Sequence, residues 1–344
     1  MATYGIAIHG AGWVAGAHLV AYRNDPRARI VSISSRREET ARALAQRFGL
    51  TDVMITTRLA DVLARRDVDV LSICTPNDLH ARETIAAAQA GKHILIEKPA
   101  ALDLDSLRAM RDAVRAAGVK SVVSFVLRWN PMFDLIKHQI EAGAIGRIYL
   151  AEVDYLHGLG PWYAQYAWNR FKDRGGSSFL SAGCHAADAL RYFVGSDVVE
   201  VCAYATAGSD RFEWPGTAVL ICKFANGALG KSLSNLDYKC PYTFPIAIFG
   251  DGGTILNNSV FSDQLRGQTD YAEIPTILPD SGEVAHHPFN GEVAHMLDCI
   301  EHDVESHVSL ERAVNTHEAC IAADISAAEG RPVALPLLTQ RPCG

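Results

Sequence analysis

The sequence predicts an α/β fold: a doubly wound parallel sheet in the N-terminal part, then a second α/β domain with a mostly antiparallel sheet. Over residues 1–127, short, continuously apolar runs alternate with helical patterns, which is typical of parallel strands joined by crossover helices. Beyond residue 127, longer strands of alternating polarity are separated by turn sequences. The 344 residues, 49% of them hydrophobic, suffice for two cores.

The N-terminal part is predicted to contain a regular succession of strands and helices. The predicted strands are Tyr4–His9, Ala28–Ser34, Val53–Ile55, Val68–Cys74, His93–Glu97 and Ser121–Val126. The predicted helices are Trp13–Asn24, Arg37–Phe48, a short one from Leu59, Asp78–Ala90 and Leu104–Ala117. Three of these helices stop at a glycine, Gly49, Gly91 or Gly118, as helices that end in a left-handed cap do.

The second part begins with a helix over Pro131–Ala142. Its predicted strands are Arg147–Tyr155, Val198–Thr206, Thr217–Phe224, Ala228–Asn235 and Phe244–Phe249. Further helices are predicted at Ala182–Phe193, Asn290–Glu301 and Leu310–Ala328. We therefore expect a first domain over residues 1–127 and a second over residues 128–344, with the C-terminal helices able to pack back on the first domain.

The composition excludes several classes of protein. A net charge of −7 argues against a dedicated nucleic-acid binder, which would carry a basic face. No apolar run reaches the roughly 18 residues of a membrane helix, and the N-terminus lacks the pattern of a signal peptide. The eight cysteines form no C-x-x-C pair, which predicts buried thiols in a cytoplasmic protein and neither disulfides nor a zinc site.

A glycine-rich turn follows the first predicted strand and opens the first helix. Gly10, Gly12 and Ala15 fit the G-x-G-x-x-G/A pattern of dinucleotide-binding turns. The first glycine permits the tight turn, the second lets the backbone approach a pyrophosphate, and the third small residue allows helix and strand to pack closely. The start of the helix, at Trp13 and Val14, would offer backbone N–H groups to the phosphates. The pattern predicts a dinucleotide cofactor.

The end of the second predicted strand distinguishes between two dinucleotides. An acidic residue there would accept hydrogen bonds from the ribose hydroxyls of NAD, but this chain has Ser34, Ser35, Arg36 and Arg37. Without a carboxylate to repel it, a 2′-phosphate could be held by the serine hydroxyls and an arginine. We therefore expect NADP(H) to be favoured. NAD(H) stays open, because the arginines could equally be solvated residues at a helix start.

Three further segments make the sequence resemble a known family. They are Cys74–His80 (CTPNDLH), Glu97–Pro99 (EKP) and Gly175–Asp188, which contains a G-x-H-x-x-D pattern. Together with the glycine-rich turn and His18, they resemble the Gfo/Idh/MocA family of glucose–fructose oxidoreductase, inositol dehydrogenase and their relatives. The resemblance implies a Rossmann domain followed by an α/β domain with a large, open, mostly antiparallel sheet. It also implies a homodimer or homotetramer, since relatives often pair through the open face of that sheet.

The resemblance implies that Lys98 and His185 are catalytic. In the family, the lysine of the E-K-P segment lies beside the nicotinamide and the substrate hydroxyl, where a cation stabilises a developing alkoxide or polarises a carbonyl. His185 matches the histidine of the family, and an ordinary pKa of about 6.5 suits a general base. Glu97 is expected to orient this site, and Pro99 is a candidate cis-proline.

The other motif residues are assigned to cofactor or substrate. The turn after the fourth strand is expected near the ribose and nicotinamide, so the further cofactor contacts are Cys74, Thr75, Pro76, Asn77, His80, Glu97 and Lys98. Besides Lys98 and His185, the expected substrate contacts are Arg128, Trp129, Tyr155, Trp168, Ser181 and Asp188. Aromatic rings pack on sugar C–H faces, and the polar groups bind hydroxyls. The expected substrate is a small sugar or polyol.

One position departs from the family pattern. Many relatives carry Asp four residues before the histidine, where this chain has Ser181. Either Lys98 and His185 suffice, or Asp154 or Asp173 substitutes. The function expected first is an NADP(H)-preferring dehydrogenase or reductase of a sugar, cyclitol or sugar derivative. The departure keeps open redox-assisted glycoside cleavage with a retained cofactor, and a noncatalytic NADP-binding regulator is a further alternative.

A metal ion is not expected. Glu292 and His295 are three residues apart on what we expect to be a surface helix, and the sequence has no H-E-x-x-H pattern. The adjacent pair His286 and His287 is the other candidate. A nicotinamide supplies the redox chemistry of the expected reaction, so a metal is not required.

Overall fold

The computed structural model describes residues 3–239, 241–279 and 287–338. The chain divides into two compact units. The first unit consists of Met1–Phe125 and Phe289–Val314, and the second of Val126–Pro288 and Asn315–Gly344. A parallel sheet lies in the first unit and a mostly antiparallel sheet in the second, which confirms the predicted fold class.

Strands and helices are numbered here in chain order within the described ranges. The strands are β1 Tyr4–His9, β2 Ala28–Ser34, β3 Met54–Thr56, β4 Val70–Ile73, β5 His93–Ile96, β6 Ser121–Val123, β7 Ile148–Val153, β8 Tyr155–Leu156, β9 Val198–Thr206, β10 Thr217–Phe224, β11 Leu229–Asn235, β12 Ile246–Gly250, β13 Gly253–Leu256, β14 Ser259–Ser262, β15 Ala272–Glu273 and β16 Val333–Ala334. The helices are α1 Trp13–Asn24, α2 Glu38–Arg47, α3 Leu59–Leu63, α4 His80–Gln89, α5 Leu104–Ala117, α6 Pro131–Glu141, α7 Tyr166–Asn169, α8 Lys172–Gly175, α9 Cys184–Val194, α10 Phe289–Glu301 and α11 Leu310–Glu329.

The first unit is built on a parallel sheet whose described strands have the order β3-β2-β1-β4-β5-β6. The chain adds strands on one side of β1 and then continues on the other side with β4, so the order reverses between β1 and β4. In open α/β sheets, ligands bind at such a switch point, beside the carboxyl ends of the strands. Strands β1, β4 and β5 are buried almost throughout, as their continuous apolar sequences predicted.

Helix α5 shows how local sequence determines an element of this unit. It begins after Asp103, whose carboxylate accepts the backbone N–H of Ser106 at 2.8 Å. It ends at Gly118, whose φ of 65° is the left-handed conformation of a glycine cap. Leu107 and Met110 carry its apolar side into the core. The bounds predicted from the sequence for this helix are confirmed.

The second unit is built on a ten-stranded sheet in the described residues, in the order β15-β14-β13-β12-β7-β11-β10-β9-β16, with β8 beside β11. Strands β7 and β8 run parallel to β11, and the other neighbouring strands are antiparallel. Along β10, Leu220 and Phe224 are buried, whereas Val219 and Ile221 face outward. Helix α9 packs against β7 and β11 and covers part of the inner face.

Short strands and a π-helical turn are among the features of the second unit that the sequence did not predict. Strands β13, β14 and β15 contain four, four and two residues, too few for alternation of polarity to identify them. The helix predicted over Ala182–Phe193 begins two residues later as α9, after a π-helical turn at Phe179–Gly183. A pattern with the period of an α-helix does not detect such a turn, because its hydrogen bonds span five residues.

Two properties of the described residues bear on the class of protein. None of their helices combines the length and the apolar character that crossing a membrane requires. Their cysteines are all free thiols: Cys74, Cys184, Cys202, Cys222, Cys299 and Cys320.

The inner face of the second sheet can be tested by a matched pair of substitutions. Leu220→Ala removes a side chain that is 2% exposed and should lower the free energy of unfolding by about 2–5 kcal/mol. Leu265→Ala makes the same chemical change at a side chain that is 49% exposed, and should change it by less than about 0.5 kcal/mol. Urea unfolding of both variants is the measurement, and equal losses would contradict the assignment of the inner face.

Candidate active site

The glycine-rich turn between β1 and α1 is held between the ends of two neighbouring strands. Gly10 has a φ of 107°, and a Cβ at this position would lie 2.4 Å from the carbonyl oxygen of Cys74. A residue with a side chain would therefore be strained here and would also clash. The backbone N–H of Gly10 donates to the carbonyl oxygen of Ser34 at 2.8 Å. The turn thus has a fixed position relative to both β2 and β4.

The space next to the second glycine is open. Gly12 is the exposed N-cap of α1, and a Cβ added to it would meet no atom within 4 Å. The described first turn of α1 holds no acidic residue, and Trp13 there is 47% exposed while Val14 is half-buried. The backbone N–H groups at this helix start and the positive end of the helix dipole favour an anion. These residues fit the pyrophosphate of a dinucleotide.

At the end of β2, the serine and arginine side chains differ in exposure. The Ser34 hydroxyl is fully buried and lies 2.7 Å from Nδ1 of His9. Contact between this hydroxyl and a nucleotide would have to replace this buried hydrogen bond, and the expected role of Ser34 stays a prediction. The half-buried Ser35 hydroxyl is 2.8 Å from Oγ1 of Thr40. Arg36 is exposed, and within the described part of the chain it makes no hydrogen bond or ion pair.

A buried network ties the turn after β4 to α4 and β1. Thr75 Oγ1 donates to Oε2 of Glu83 at 2.5 Å, and Oε1 of the same carboxylate is 3.2 Å from Nε2 of His9. Pro76 precedes a 3₁₀ turn in which Asn77 is the buried first residue. His9 and Glu83 were not identified from the sequence, because only the sheet topology brings their elements together.

His80 connects two of the motif segments. Its Nδ1 lies 2.8 Å from the carbonyl oxygen of Pro99, and its Nε2 lies 2.9 Å from the carbonyl oxygen of Thr75. The side chain has no exposed surface, and both ring nitrogens are engaged. The expected contact of His80 with the cofactor stays a prediction, and these hydrogen bonds give the side chain a structural role in addition. This role is to hold the turn after β4 against the segment that carries Lys98.

Lys98 follows β5 at the same edge of the sheet. The peptide bond between Lys98 and Pro99 is cis, which confirms the prediction for Pro99. The backbone N–H of Lys98 donates to Oε2 of Glu97 at 3.2 Å, and Nε2 of His18 donates to Oε1 of Glu97 at 2.8 Å. Burial would raise the pKa of the Glu97 carboxyl, but the hydrogen bond and charge of His18 outweigh it and lower that pKa.

His18 forms a buried ion pair with Glu97. The imidazole has no exposed surface, its Nδ1 is 2.8 Å from Oγ of Ser72, and its centroid is 5.0 Å from that of the Phe289 ring. Burial disfavours the charged imidazole, but the neighbouring Cys74 and the Glu97 carboxylate outweigh it and raise the pKa of His18 well above its usual value. A positive His18 therefore faces a negative Glu97 at neutral pH.

Glu292 lies in the core of the first unit and not on a surface helix, which corrects the sequence-based expectation. Helix α10 packs on α1, Glu292 has no exposed surface, and Ser124 Oγ is 3.0 Å from Oε2 of Glu292. Burial, with a smaller contribution from Glu97, raises the pKa of Glu292 to about 8. His295, the other residue considered for a metal, lies instead 2.9 Å from Oγ of Ser306.

Within the described ranges, no three metal-binding side chains form a cluster. His286, which the sequence analysis also considered, lies outside the described residues.

In the second unit, His185 is a buried residue in the first turn of α9. The ring of Tyr155 is nearly parallel to its imidazole, with centroids 6.1 Å apart and an interplanar angle of 14°. Burial raises the pKa of the Tyr155 hydroxyl well above its usual value, so this hydroxyl stays protonated. His157 Nδ1 is 3.4 Å from that hydroxyl, and Tyr242 packs edge-on with its centroid 5.4 Å from that of Tyr155. We call Tyr155, His157 and Tyr242 the aromatic wall.

A neutral pair stands at the position where the family resemblance led us to expect an aspartate. Ser181 Oγ lies 2.7 Å from Nδ2 and 2.9 Å from Oδ1 of Asn169, and both side chains are buried. Asp154, considered as a substitute, accepts a hydrogen bond from Nζ of Lys231 at 2.8 Å. Asp173 is exposed on α8. The sequence analysis did not identify the pairing of Ser181 with Asn169.

Arg128 and Asp188 bind each other. The guanidinium Nε and Nη2 each donate to one carboxylate oxygen at 2.7 Å, and Thr316 Oγ1 donates to Oδ1 at 3.2 Å. Both side chains are buried, and such a bidentate charged pair is strong and directional. Both Asp188 oxygens accept hydrogen bonds within the protein, and the expected contact of Asp188 with substrate stays a prediction. The pair connects α9 to the 3₁₀ turn that ends at half-buried Trp129. Trp168, the other expected aromatic contact, is half-buried on α7.

Two family models match the chain, one in each unit. The model of the oxidoreductase family with an NAD-binding Rossmann fold, GFO_IDH_MocA, matches residues 4–125. The model of the GFO/IDH/MocA C-terminal domain matches residues 133–256.

Several curated proteins are similar to the chain. Levoglucosan dehydrogenase of Pseudarthrobacter phenanthrenivorans is 35% identical over 209 residues, which cover 57% of this chain and 52% of that protein. The match thus spans about half the length of that relative. The oxidoreductase YrbE of Bacillus subtilis is 31% identical over 251 residues, 72% of this chain and 71% of YrbE. The scyllo-inositol 2-dehydrogenase (NAD(+)) of the same organism is 26% identical over 280 residues, 80% of each chain.

Solved structures share the fold. Levoglucosan dehydrogenase in complex with NADH and L-sorbose superposes with a TM-score of 0.88 at 26% identity, over 98% of this chain and 100% of that chain. GenD2 from gentamicin A biosynthesis in complex with NAD has a TM-score of 0.83 at 22% identity, over 98% of this chain and 97% of that chain, and this likeness concerns the fold alone. With both family models matched and YrbE aligned over more than two thirds of its length, the chain belongs to the Gfo/Idh/MocA family of NAD-binding oxidoreductases.

Proposed function

We propose that this protein is an NADP(H)-preferring dehydrogenase or reductase of a sugar, cyclitol or sugar derivative. It would move a hydride between nicotinamide C4 and a hydroxyl-bearing carbon. The observation that carries the proposal is that the open glycine turn after β1 and Lys98 after β5 lie at the same carboxyl edge of one parallel sheet, beside its switch point. A bound nicotinamide would supply the hydride chemistry.

The cofactor would be bound mainly by backbone groups and by exposed cations. The N–H groups at the start of α1, at Trp13 and Val14, would bind the pyrophosphate. Ser35, Arg36 and Arg37 would bind a 2′-phosphate, since both arginines are exposed and the end of β2 carries no carboxylate to repel it. The two solved structures named above contain NADH or NAD, so a preference for NAD(H) is the competing outcome.

Lys98 would stabilise negative charge on the substrate oxygen. Its ammonium group would hold the alkoxide that develops during oxidation, or polarise the carbonyl in the reverse direction. The position of its backbone is set by its neighbours, because Glu97 binds its N–H and His80 binds the carbonyl oxygen of the next residue, Pro99. Such preorganisation is what an electrostatic catalyst requires.

His185 would take the proton of the substrate hydroxyl as a general base. The stacked ring of Tyr155 orients the imidazole. The aromatic wall would accept the apolar C–H face of a ring-shaped substrate, and the neutral pair Ser181–Asn169 would favour hydroxyl groups over cationic ones. This fits an uncharged cyclic polyol. The names of two relatives refer to levoglucosan and to scyllo-inositol.

The assay that tests the function uses purified protein, NADP⁺ or NAD⁺, and a panel of sugars, cyclitols and glycosides. Reduced nicotinamide in proportion to oxidised substrate supports a dehydrogenase. Release of the aglycone from a glycoside without net reduction indicates the redox-assisted cleavage reaction instead. Tight NADP binding with neither reaction indicates a regulator.

Lys98→Ala should lower kcat by about 10²- to 10³-fold, because it removes one preorganised charge at the reacting oxygen. Dinucleotide affinity, measured by fluorescence titration, should change little. The matched control is Lys120→Ala. Lys120 precedes β6, at the amino ends of the strands of the same sheet, and pairs with Asp303. Full turnover by Lys98→Ala would disprove the assignment.

Arg36→Ala should weaken NADP⁺ binding by roughly tenfold or more, because it removes a charged hydrogen-bond donor from the 2′-phosphate. NAD⁺ binding should stay unchanged. Calorimetric titration with both nucleotides is the measurement. Arg42→Ala is the control, because Arg42 lies on α2 one turn after Glu38 and forms an ion pair with it. An equal loss for both nucleotides, or tighter binding of NAD⁺ by the unaltered protein, would contradict the NADP preference.

We further propose that the protein is a homodimer or homotetramer that pairs through the outer face of the second sheet. Side chains on the adjacent strands β9, β10 and β11 expose apolar surface there, with Tyr204 75%, Ile221 56% and Leu229 43% exposed. An apolar patch of this kind on a regular sheet is typical of an interface between copies. The free thiols of the described cysteines are in keeping with a cytoplasmic protein, and the net charge of −7 with one that binds no nucleic acid.

Ile221→Glu should shift the oligomer to monomer, because it places a charge in the apolar face. Light scattering coupled to size-exclusion chromatography is the measurement. Leu265→Glu, at an exposed leucine outside β9, β10 and β11, should leave the oligomer intact. A monomeric unaltered protein, or a monomer from both variants, would contradict this interface.

A further inference from the structure

Glu292 is a buried acidic residue beside Glu97 that no sequence motif accounts for. It is carried by α10, almost 200 residues after Lys98 in the chain, and it has no exposed surface. Ser124 faces its Oε2, and within the described residues its Oε1 has no hydrogen-bond partner. An ionised carboxylate in this position would keep an uncompensated charge in the core.

The hydrogen bonds around Ser124 allow one arrangement of protons. Its hydroxyl oxygen lies 3.1 Å from Oε1 of Glu97 and 3.0 Å from Oε2 of Glu292, but the hydroxyl carries one proton. Glu97 is ionised and only accepts, as its ion pair with His18 requires. If Glu292 were ionised as well, one of the two contacts would join two oxygens with no hydrogen between them. A proton on Glu292 supplies the missing hydrogen: Glu292 donates to Ser124, and Ser124 donates to Glu97.

We infer that Glu292 is held as a neutral acid and is a positioning residue for Lys98, acting through Ser124 and Glu97. Glu292 directs the Ser124 hydroxyl to Glu97, and Glu97 binds the backbone N–H of Lys98. A residue of the C-terminal helix α10 thereby determines the path of the chain at the proposed catalytic lysine. The functional part of this inference rests on the role proposed above for Lys98.

The surroundings of Glu292 determine how the arrangement responds to pH. His18 and Tyr22 face it from α1, Glu97 faces it after β5, and Ser124 faces it after β6. Burial raises its pKa to about 8. When Glu292 loses its proton, two carboxylates compete for the Ser124 hydroxyl and repel each other. The hydrogen bond from the Lys98 backbone N–H to Glu97 therefore weakens. The arrangement is therefore intact below about pH 8 and loosens above it.

The scarcity of lysine makes a direct measurement possible. With ¹⁵N-lysine labelling, the eight lysines give few backbone amide signals, and Lys98→Arg identifies the one from Lys98. In the unaltered protein, this amide signal should shift with pH with a midpoint near 8. In Glu292→Gln, whose side-chain amide donates to Ser124 at every pH, the signal should not shift around that midpoint. Turnover should fall above about pH 8 in the unaltered protein and stay level in the variant.

Glu318→Gln is the matched control, because Glu318 is also a buried glutamate on a C-terminal helix, where it accepts the backbone N–H of Leu338. It should keep the titration of the Lys98 signal. Ser124→Ala removes the link while both carboxyl groups remain, and should abolish that titration. The inference is overturned if the Lys98 signal does not titrate in the unaltered protein, or titrates alike in Glu292→Gln.

The stability of the protein gives a second readout. The pKa of Glu292 in the folded protein lies above its usual value of about 4.3, so its contribution to stability is complete below about pH 4.3 and is lost as the pH rises through about 8. The unaltered protein should therefore lose stability relative to Glu292→Gln over this range, and a constant difference would overturn the neutral acid. If the Lys98 signal titrates as expected but no substrate is turned over, the proposed function fails and the role of Glu292 stands.

Discussion

The hydrogen bonds to the buried carboxylate of Glu97 are the interactions on which the first unit depends most. This carboxylate accepts hydrogen bonds from His18 on α1, from Ser124 after β6 and from the backbone of Lys98, so three separate parts of the chain meet at two oxygen atoms. Removing a buried partner of this kind would leave uncompensated charge, which costs far more than a surface ion pair. The turn at Lys98 is therefore a rigid part of the sheet edge.

The fold was predictable to the extent that it follows from local pattern. Continuous apolar runs gave β1 and β2 with their observed bounds, and the glycine after α5 marked the end of that helix. Elements that depend on distant partners were missed, such as β15, whose two residues are a strand because β14 lies beside them. The π-helical turn before α9 was missed for a related reason, since its wider hydrogen bonds have no signature in residue spacing.

The candidate site was predictable in its residues but not in their pairings. Motifs identified Asp188 and His80 as polar groups near the chemistry, yet the structure engages both in holding neighbouring segments. A sequence records which groups are present, whereas a role depends on which donor meets which acceptor. Glu292 shows that a signal can still exist: it lies on the same helix face as Phe289 and Met296, and a glutamate on an apolar stripe indicates a buried acid.

In the second unit, two of the acidic side chains considered for the site of His185 are each paired with a cation. Asp188 is neutralised by Arg128, Asp154 is bound by Lys231, and Ser181 pairs with Asn169 where the resemblance led us to expect an aspartate. None of these groups offers His185 an uncompensated negative charge, so an imidazolium formed there would depend on dipoles for its stabilisation. Oriented dipoles stabilise a nearby positive charge less strongly than a carboxylate does, so they also attract a cationic substrate less. The arrangement would therefore restrict the site to uncharged substrates whose own hydroxyl groups complete the hydrogen bonding.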